Sequence, residues 1–112
     1  MKMNTSLEPT VLAASGFAAL GSEQRLAVLI TLVRAGPNGL AIGALGERCG
    51  ITGSTLTHHL KTLAHAELIR QSRSGRHILC TANYDRIQTL SDFLLSECCS
   101  DCGGTDEEHR HD

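Results

Sequence analysis

Apolar residues recur along most of the chain at helical spacing, and one short stretch alternates instead. Residues 11–20 are apolar and rich in Ala. Pro9 suits the first turn of a helix running to about Leu20, because the N–H it lacks is not needed there. Residues 1–8 are polar and are expected to fray. Gly21 breaks this first helix, and Ser22 is placed to cap the next. There Leu26, Leu29, Ile30 and Val33 repeat at i, i+3, i+4 and i+7. Gly36-Pro37-Asn38-Gly39 ends that helix in a turn. A short helix is expected over Ile42–Cys49, with Ile42 and Leu45 on one side and Gly50 as the left-handed residue after its end. Ile51-Thr52-Gly53 is then a tight connection. Thr52 or Ser54 is suited to cap a further helix that reaches about Ala66 and buries Leu56, Leu60 and Leu63.

The period then changes. Residues 68–72 and 77–81 are short strand-like runs, and Arg73-Ser74-Gly75-Arg76 between them reads as a hairpin turn, with Gly75 supplying a positive φ. A short helix, a Gly-containing turn and a second helix follow helix-turn-helix order. A hairpin directly after such a pair is the wing of a winged helix. After Asn83-Tyr84 a last helix is expected from about residue 85 to 98 or 99, with Ile87, Leu90 and Leu94 on one stripe that Phe93 and Leu95 widen. The pattern predicts a mainly α protein of about five helices with a small β-hairpin wing. A winged helix-turn-helix domain would span 9–99, after a flexible N-terminus at 1–8 and before a flexible tail at 100–112. There is no internal repeat.

At 112 residues the chain suits one domain. Phe17, Phe93 and Tyr84 are its only aromatics, and it has no Trp. Its core is therefore aliphatic and small, which makes a second copy of the chain a reasonable partner. The broad stripe of the last helix, Ile87, Leu90 and Leu94, is the candidate dimer contact. No apolar run approaches ~18 residues, so no membrane span is expected. Residues 11–20 are a poor secretory leader, with Glu8 and Pro9 just upstream and Lys2 as the lone positive charge before them. Five cysteines, an odd count, then fit reduced thiols in the cytoplasm.

The net charge of −2 conceals an uneven distribution. Residues 51–80 carry Lys61, Arg70, Arg73 and Arg76 against the single acid Glu67, together with His58, His59, His65 and His77. Residues 81–112 carry Arg86 and Arg110 against eight acids. The helix-turn-helix and wing are thus basic, as a nucleic-acid face requires, and the last third is acidic. In such a motif the second helix enters the major groove and its first turns meet base edges. Ser54, Thr55, Thr57, His58 and Lys61 are polar and lie off the Leu56/Leu60/Leu63 stripe. Thr55, Thr57 and His58 are the candidate base contacts, and Ser54 and Lys61 the candidate phosphate contacts. Arg73 and Arg76 at the wing tip would reach phosphates or a minor groove. No nucleophile–base pair, phosphate loop or organic-cofactor motif is visible, which argues against an enzyme. Cys99 and Cys102 form a C-x-x-C without the βαβ setting of a thiol oxidoreductase. A metallochaperone or a protein-binding winged helix are the competing classes.

The matching pieces resemble the ArsR/SmtB metal-responsive winged-helix repressors of bacteria, from about Leu20 to Cys99. They are Leu20-Gly21-Ser22-Glu23-Gln24-Arg25-Leu26, then Ser54-Thr55-Leu56-Thr57-His58-His59-Leu60-Lys61-Thr62-Leu63, then Ala66-Glu67-Leu68-Ile69 and Arg73-Ser74-Gly75-Arg76. The resemblance implies a homodimeric cytoplasmic repressor that leaves its operator, a double-stranded DNA site, when an inducer binds. It also gives His59 a structural hydrogen bond rather than a base contact. Two of the family's sensor sites are missing here. The stretch Leu40-Ala41-Ile42-Gly43-Ala44-Leu45-Gly46, where one arsenic site of the family places its cysteines, has no cysteine, and the last helix has no His.

What remains is Glu97-Cys98-Cys99-Ser100-Asp101-Cys102, which resembles the C-terminal cysteine site of an arsenic-responsive branch, with a shorter spacing before the third cysteine. Trivalent arsenic is soft and takes three thiolates in a trigonal pyramid. Cys98, Cys99 and Cys102 are the candidate ligands for As(III), with Sb(III) or a methylated trivalent arsenical as close relatives. Zinc or cadmium, with His109 or His111 as a fourth ligand, is an alternative inducer. A thiol-redox or persulfide switch is another. Cys49 and Cys80 read as small core residues.

Overall fold

The computed structural model describes residues 4–102. Five helices and a three-stranded sheet follow in the order α1 Asn4–Ala19, α2 Glu23–Ala35, β1 Leu40–Ala41, α3 Ile42–Cys49, α4 Gly53–His65, β2 Ile69–Ser74, β3 His77–Ala82 and α5 Tyr84–Leu95. This is a winged helix-turn-helix. Residues 103–112, which include most of the expected flexible tail with His109 and His111, lie outside the described residues.

The helix boundaries follow local chemistry. Ser22 caps α2, its hydroxyl accepting from the Arg25 N–H at 3.3 Å. Gly36 ends α2 at a positive φ of 84° and Gly50 ends α3 at 70°. Asn83 caps α5, accepting from the Arg86 N–H at 3.4 Å. Thr52 occupies the N-cap of α4, but its side chain makes no capping bond, and Ser54 is already helical. The polar groups there face outward.

Four expectations need correction. α1 begins at Asn4, so residues 4–8 are helical and Pro9 lies inside the helix. Proline removes one helical donor, so one carbonyl of the preceding turn is left without its helical partner. The buried face of α2 is Val28, Leu29 and Leu32, whereas Leu26, Ile30 and Val33 are exposed. Nearly every residue from 26 to 33 is apolar, so periodicity alone could not choose the face. A third strand, β1, pairs antiparallel with β3, Leu40 opposite Cys80 and Ala41 opposite Leu79. Gly39 permits this approach, because a Cβ there would strike the Cys80 carbonyl oxygen. Last, α5 stops at Leu95, short of the cysteines.

β2 and β3 pair from Ile69–Ala82 to Ser74–His77, so the wing turn tightens to Gly75-Arg76 with Gly75 at φ 64°. Such a two-residue turn matches the twist of the strands. The core joins Val28 and Leu32 of α2, Leu45 of α3, Leu63 of α4, and Leu68 and Cys80 beside or on the wing, all with almost no exposure. α5 rests mainly on α1, where Gly16 lets Leu90 in: a Cβ on Gly16 would lie 2.8 Å from Leu90 Cδ1. Among the described residues no single helix is long and apolar enough to cross a membrane. The pair Pro9–Ala19 and Glu23–Ala35 qualifies only jointly, and it is bent by 97°.

Candidate functional site

The α4 helix divides into two faces. Leu56, His59, Leu60 and Leu63 point inward, while Ser54, Thr55, Thr57, His58 and Lys61 are exposed. The angle between α3 and α4 depends on close contact at Gly46, where a Cβ would lie 2.7 Å from the Ile51 carbonyl oxygen and 3.1 Å from Leu56 Cδ2. His59 is the one buried polar residue among those described. Its Nε2 lies 2.9 Å from Gln24 Oε1 on α2, the structural hydrogen bond expected of it. Its Nδ1 is buried without a partner. Burial, then the charges of Arg25 and His58, pushes the His59 pKa down, so the ring is neutral at pH 7. In that state Nε2–H donates to Gln24. The same end of α2 is tied to α1, since Arg25 Nε donates to the Ala19 carbonyl at 2.5 Å.

Arg73 and Arg76 are exposed at the wing tip, as expected. Between α4 and the wing runs a groove lined by Thr57, Lys61, His65, Gln71 and Ile78. His65 and Gln71 were not singled out from the sequence. His65 could have been, since it stands four residues after Lys61 and seven after His58, on one helical face. Arg70 is also exposed on β2. The outward surface of the helix-turn-helix and wing thus gathers hydroxyls, imidazoles and cations. Such a surface positions phosphates by charge and meets base edges by hydrogen bonding.

The thiols lie at the far end of α5. Beyond Leu95 the chain continues in successive turns, with Cys98 N–H bonded to Leu95 O at 3.0 Å, Ser100 to Glu97 at 3.1 Å and Cys102 to Cys99 at 3.0 Å. Cys99 adopts a left-handed φ of 62°, uncommon for a residue with a side chain. That reversal folds Cys102 back on the pair. Cys98 Sγ lies 3.7 Å from Cys99 Sγ, and Cys99 also shares a hydrogen bond with the Cys102 thiol. Those two bonds, then partial burial and repulsion by the neighbouring sulfurs, push the Cys99 thiol up to about 11. The structure therefore brings the three predicted thiols together, with Cys99 between the other two. Among the described residues no His, Cys, Asp and Glu side chains stand ready as a metal-ligand set, so capture of a thiophile requires the turns to readjust. Cys80 is fully buried and accepts from Gln71 Nε2 at 3.5 Å, and Cys49 is half-buried beside Thr31.

The candidate dimer stripe divides. Leu90 is 3% exposed and belongs to the chain's own core, Ile87 is half-buried, and Leu94 is 65% exposed. Leu95 and, on α1, Val11 and Leu12 are exposed as well. Between α1 and α5 lies an apolar groove of about 360 Å³ that includes Leu12, Leu90 and Phe93.

A helix-turn-helix domain model matches residues 20–72. An uncharacterised HTH-type transcriptional regulator of Bacillus subtilis, YceK, is 38% identical over 79 residues, which is 70% of this chain and 78% of that one. An ArsR-like transcriptional regulator from Rhodococcus sp. RHA1 superposes with a TM-score of 0.71 at 21% identity, covering 92% of this chain and 97% of its own. A homodimeric winged helix-turn-helix DNA-binding domain from Mycobacterium bovis, a possible ArsR-family regulator, gives 0.67 at 19% identity over 88% and 89%.

Proposed function

The chain belongs to the helix-turn-helix transcriptional regulators, with the winged fold of the ArsR family, and from that premise we propose that it is an arsenic-released repressor. It binds operator DNA as a homodimer and lets go when trivalent arsenic takes the thiols of Cys98, Cys99 and Cys102. It is a regulator and not an enzyme.

The observation that carries the inducer reading is the contact of the Cys99 thiol with both Cys98 and Cys102. Three sulfurs are the donor set of a three-coordinate, soft centre. Arsenous acid is uncharged and brings its own hydroxyls. As each As–S bond forms, one thiol proton leaves with one arsenic hydroxyl as water, so three thiols yield three waters.

DNA binding is supported by the exposed face of α4, where Thr55, Thr57 and His58 would meet bases and Ser54 and Lys61 phosphates, with Arg73 and Arg76 on the adjoining backbone. A second copy is supported by the exposed Val11, Leu12, Leu94 and Leu95, and by the homodimeric Mycobacterium neighbour. Two recognition helices then face half-sites about 34 Å apart.

The test is operator binding titrated separately with arsenite, zinc, cadmium and polysulfide. Arsenite should weaken binding about 10-fold or more, in the range of ordinary allosteric coupling. The variants C98S, C99S and C102S should bind the operator normally and ignore arsenite. Release that survives in all three would exclude the triad.

A further inference from the structure

We propose that Arg86 is the positioning residue that carries a change at the thiol end of α5 to the recognition helix α4. The inference rests on the reading of the triad as inducer site, and it names the contact through which that site reaches DNA.

α5 begins beside the corner where α4 turns into the wing, and the thiols follow its other end. Twelve residues at ~1.5 Å rise make it a rod of about 18 Å. Near its start, Arg86 Nε donates to the carbonyl of Ala66, the residue that closes α4, at 3.1 Å. The Nη2 of the same guanidinium donates to the Leu12 carbonyl in the middle of α1, at 2.7 Å. One planar group from α5 therefore holds the end of the recognition helix and the helix on which α5 rests. Two bonds from Asn83, to the carbonyls of Glu67 at 2.8 Å and Leu68 at 2.9 Å, fasten the start of α5 to the same corner.

The placement is built in. Gly16 leaves the space Arg86 occupies, since a Cβ there would lie 3.1 Å from Arg86 Nη2. Ala66 offers a carbonyl past the last turn of α4, which the helix itself does not use. Both bonds are charge-assisted, and the donors sit in a fixed fork. A shift of α5 along or about α1 cannot keep both in place. Either Arg86 releases Leu12, or it draws the Ala66 end of α4 with it. α4 carries Thr55, Thr57 and His58 in its first turns, so a tilt at Ala66 swings those residues.

The experiment compares the full-length protein with R86Q and R86K. Operator affinity is measured by fluorescence anisotropy with and without arsenite, and arsenite uptake by loss of titratable thiols. In the unmodified protein arsenite should weaken binding about 10-fold or more. R86Q should take up arsenite equally and, without it, bind DNA within about threefold of the unmodified protein. Its loss of affinity on loading should shrink below about threefold. R86K, whose ammonium reaches only one of the two carbonyls at a time, should fall between.

A release factor unchanged in R86Q, even with weaker binding in both states, would make Arg86 merely structural and overturn the proposal. If R86Q fails to give a cooperative melt, R86K decides on the same criterion. If the unmodified protein takes up arsenite without releasing DNA, or does not take it up, the inducer reading fails and this inference falls with it. That result is distinct from one in which only the variants behave as the unmodified protein does.

Discussion

His59 is a buried imidazole on the inner side of a helix whose outer side is polar. Its hydrogen bond to Gln24 links α2 to α4, and its unpartnered Nδ1 makes the neutral form the one the fold tolerates. A histidine with a folded pKa below its ordinary value of 6.5 binds its proton more readily when unfolded. Its contribution to stability is therefore complete above about pH 6.5 and declines as pH falls from there toward the folded value. Thermal melts should show the midpoint dropping on acidification below pH 6.5, and H59Q should show a smaller drop. At pH 7.5, H59A should cost about 1–3 kcal/mol, measured by urea denaturation, through lost packing and the lost bond. Gly46 sets a steric limit of the same kind. G46A places a methyl against the Ile51 carbonyl and Leu56, and should destabilise by about 1–3 kcal/mol, because neither backbone nor core can easily give way.

Between elements, the division of labour lies in which face each helix turns outward. The α4 outer face was plain from the sequence, because Leu56, Leu60 and Leu63 leave no doubt about the inner one. The α2 face was not, because Leu26, Ile30 and Val33 are as apolar as Val28, Leu29 and Leu32, and only packing against α3, α4 and the sheet selects the latter. The wing turn was legible through Gly75, although the strands extend further than their alternation suggested. β1 was not legible, since two residues carry no period and are defined by their partner strand alone. The wing makes a separable prediction. Arg73 and Arg76 stand exposed on it, and R73A with R76A leaves the core untouched. If both meet phosphates, the double variant should lower operator affinity and reduce the slope of log affinity against log salt by about 2, with little change in sequence preference. T55A and T57A should change sequence preference instead, with the salt slope retained.

The chain by itself leaves apolar surface uncovered at α1 and α5. Leu90 faces inward and Leu94 and Leu95 face outward, so the two kinds of residue predict opposite phenotypes. L90A should destabilise each chain by about 2–5 kcal/mol, through the cavity it opens against α1. L94E with L95E should leave the melting of the isolated chain nearly unchanged and shift sedimentation from dimer to monomer. Operator affinity should fall with it, because a single recognition helix meets one half-site. A stable dimer of the L94E/L95E variant would place the interface elsewhere.

The amino-acid sequence by itself determined the helix-turn-helix order, the wing, the basic middle third and the clustering of three thiols. Each of these is local: a period, a glycine at a turn, a spacing of a few residues. The tertiary structure decided what distant segments do to one another. It turned Leu90 into core and left Leu94 outside, chose the buried face of α2, and paired β1 with β3. It ended α5 before the cysteines, so that a left-handed Cys99 could gather them. It also placed Arg86 across Ala66 and Leu12, residues 20 and 74 positions away. No sequence period records such a contact, because it depends on how three helices pack and on the space that Gly16 leaves between them.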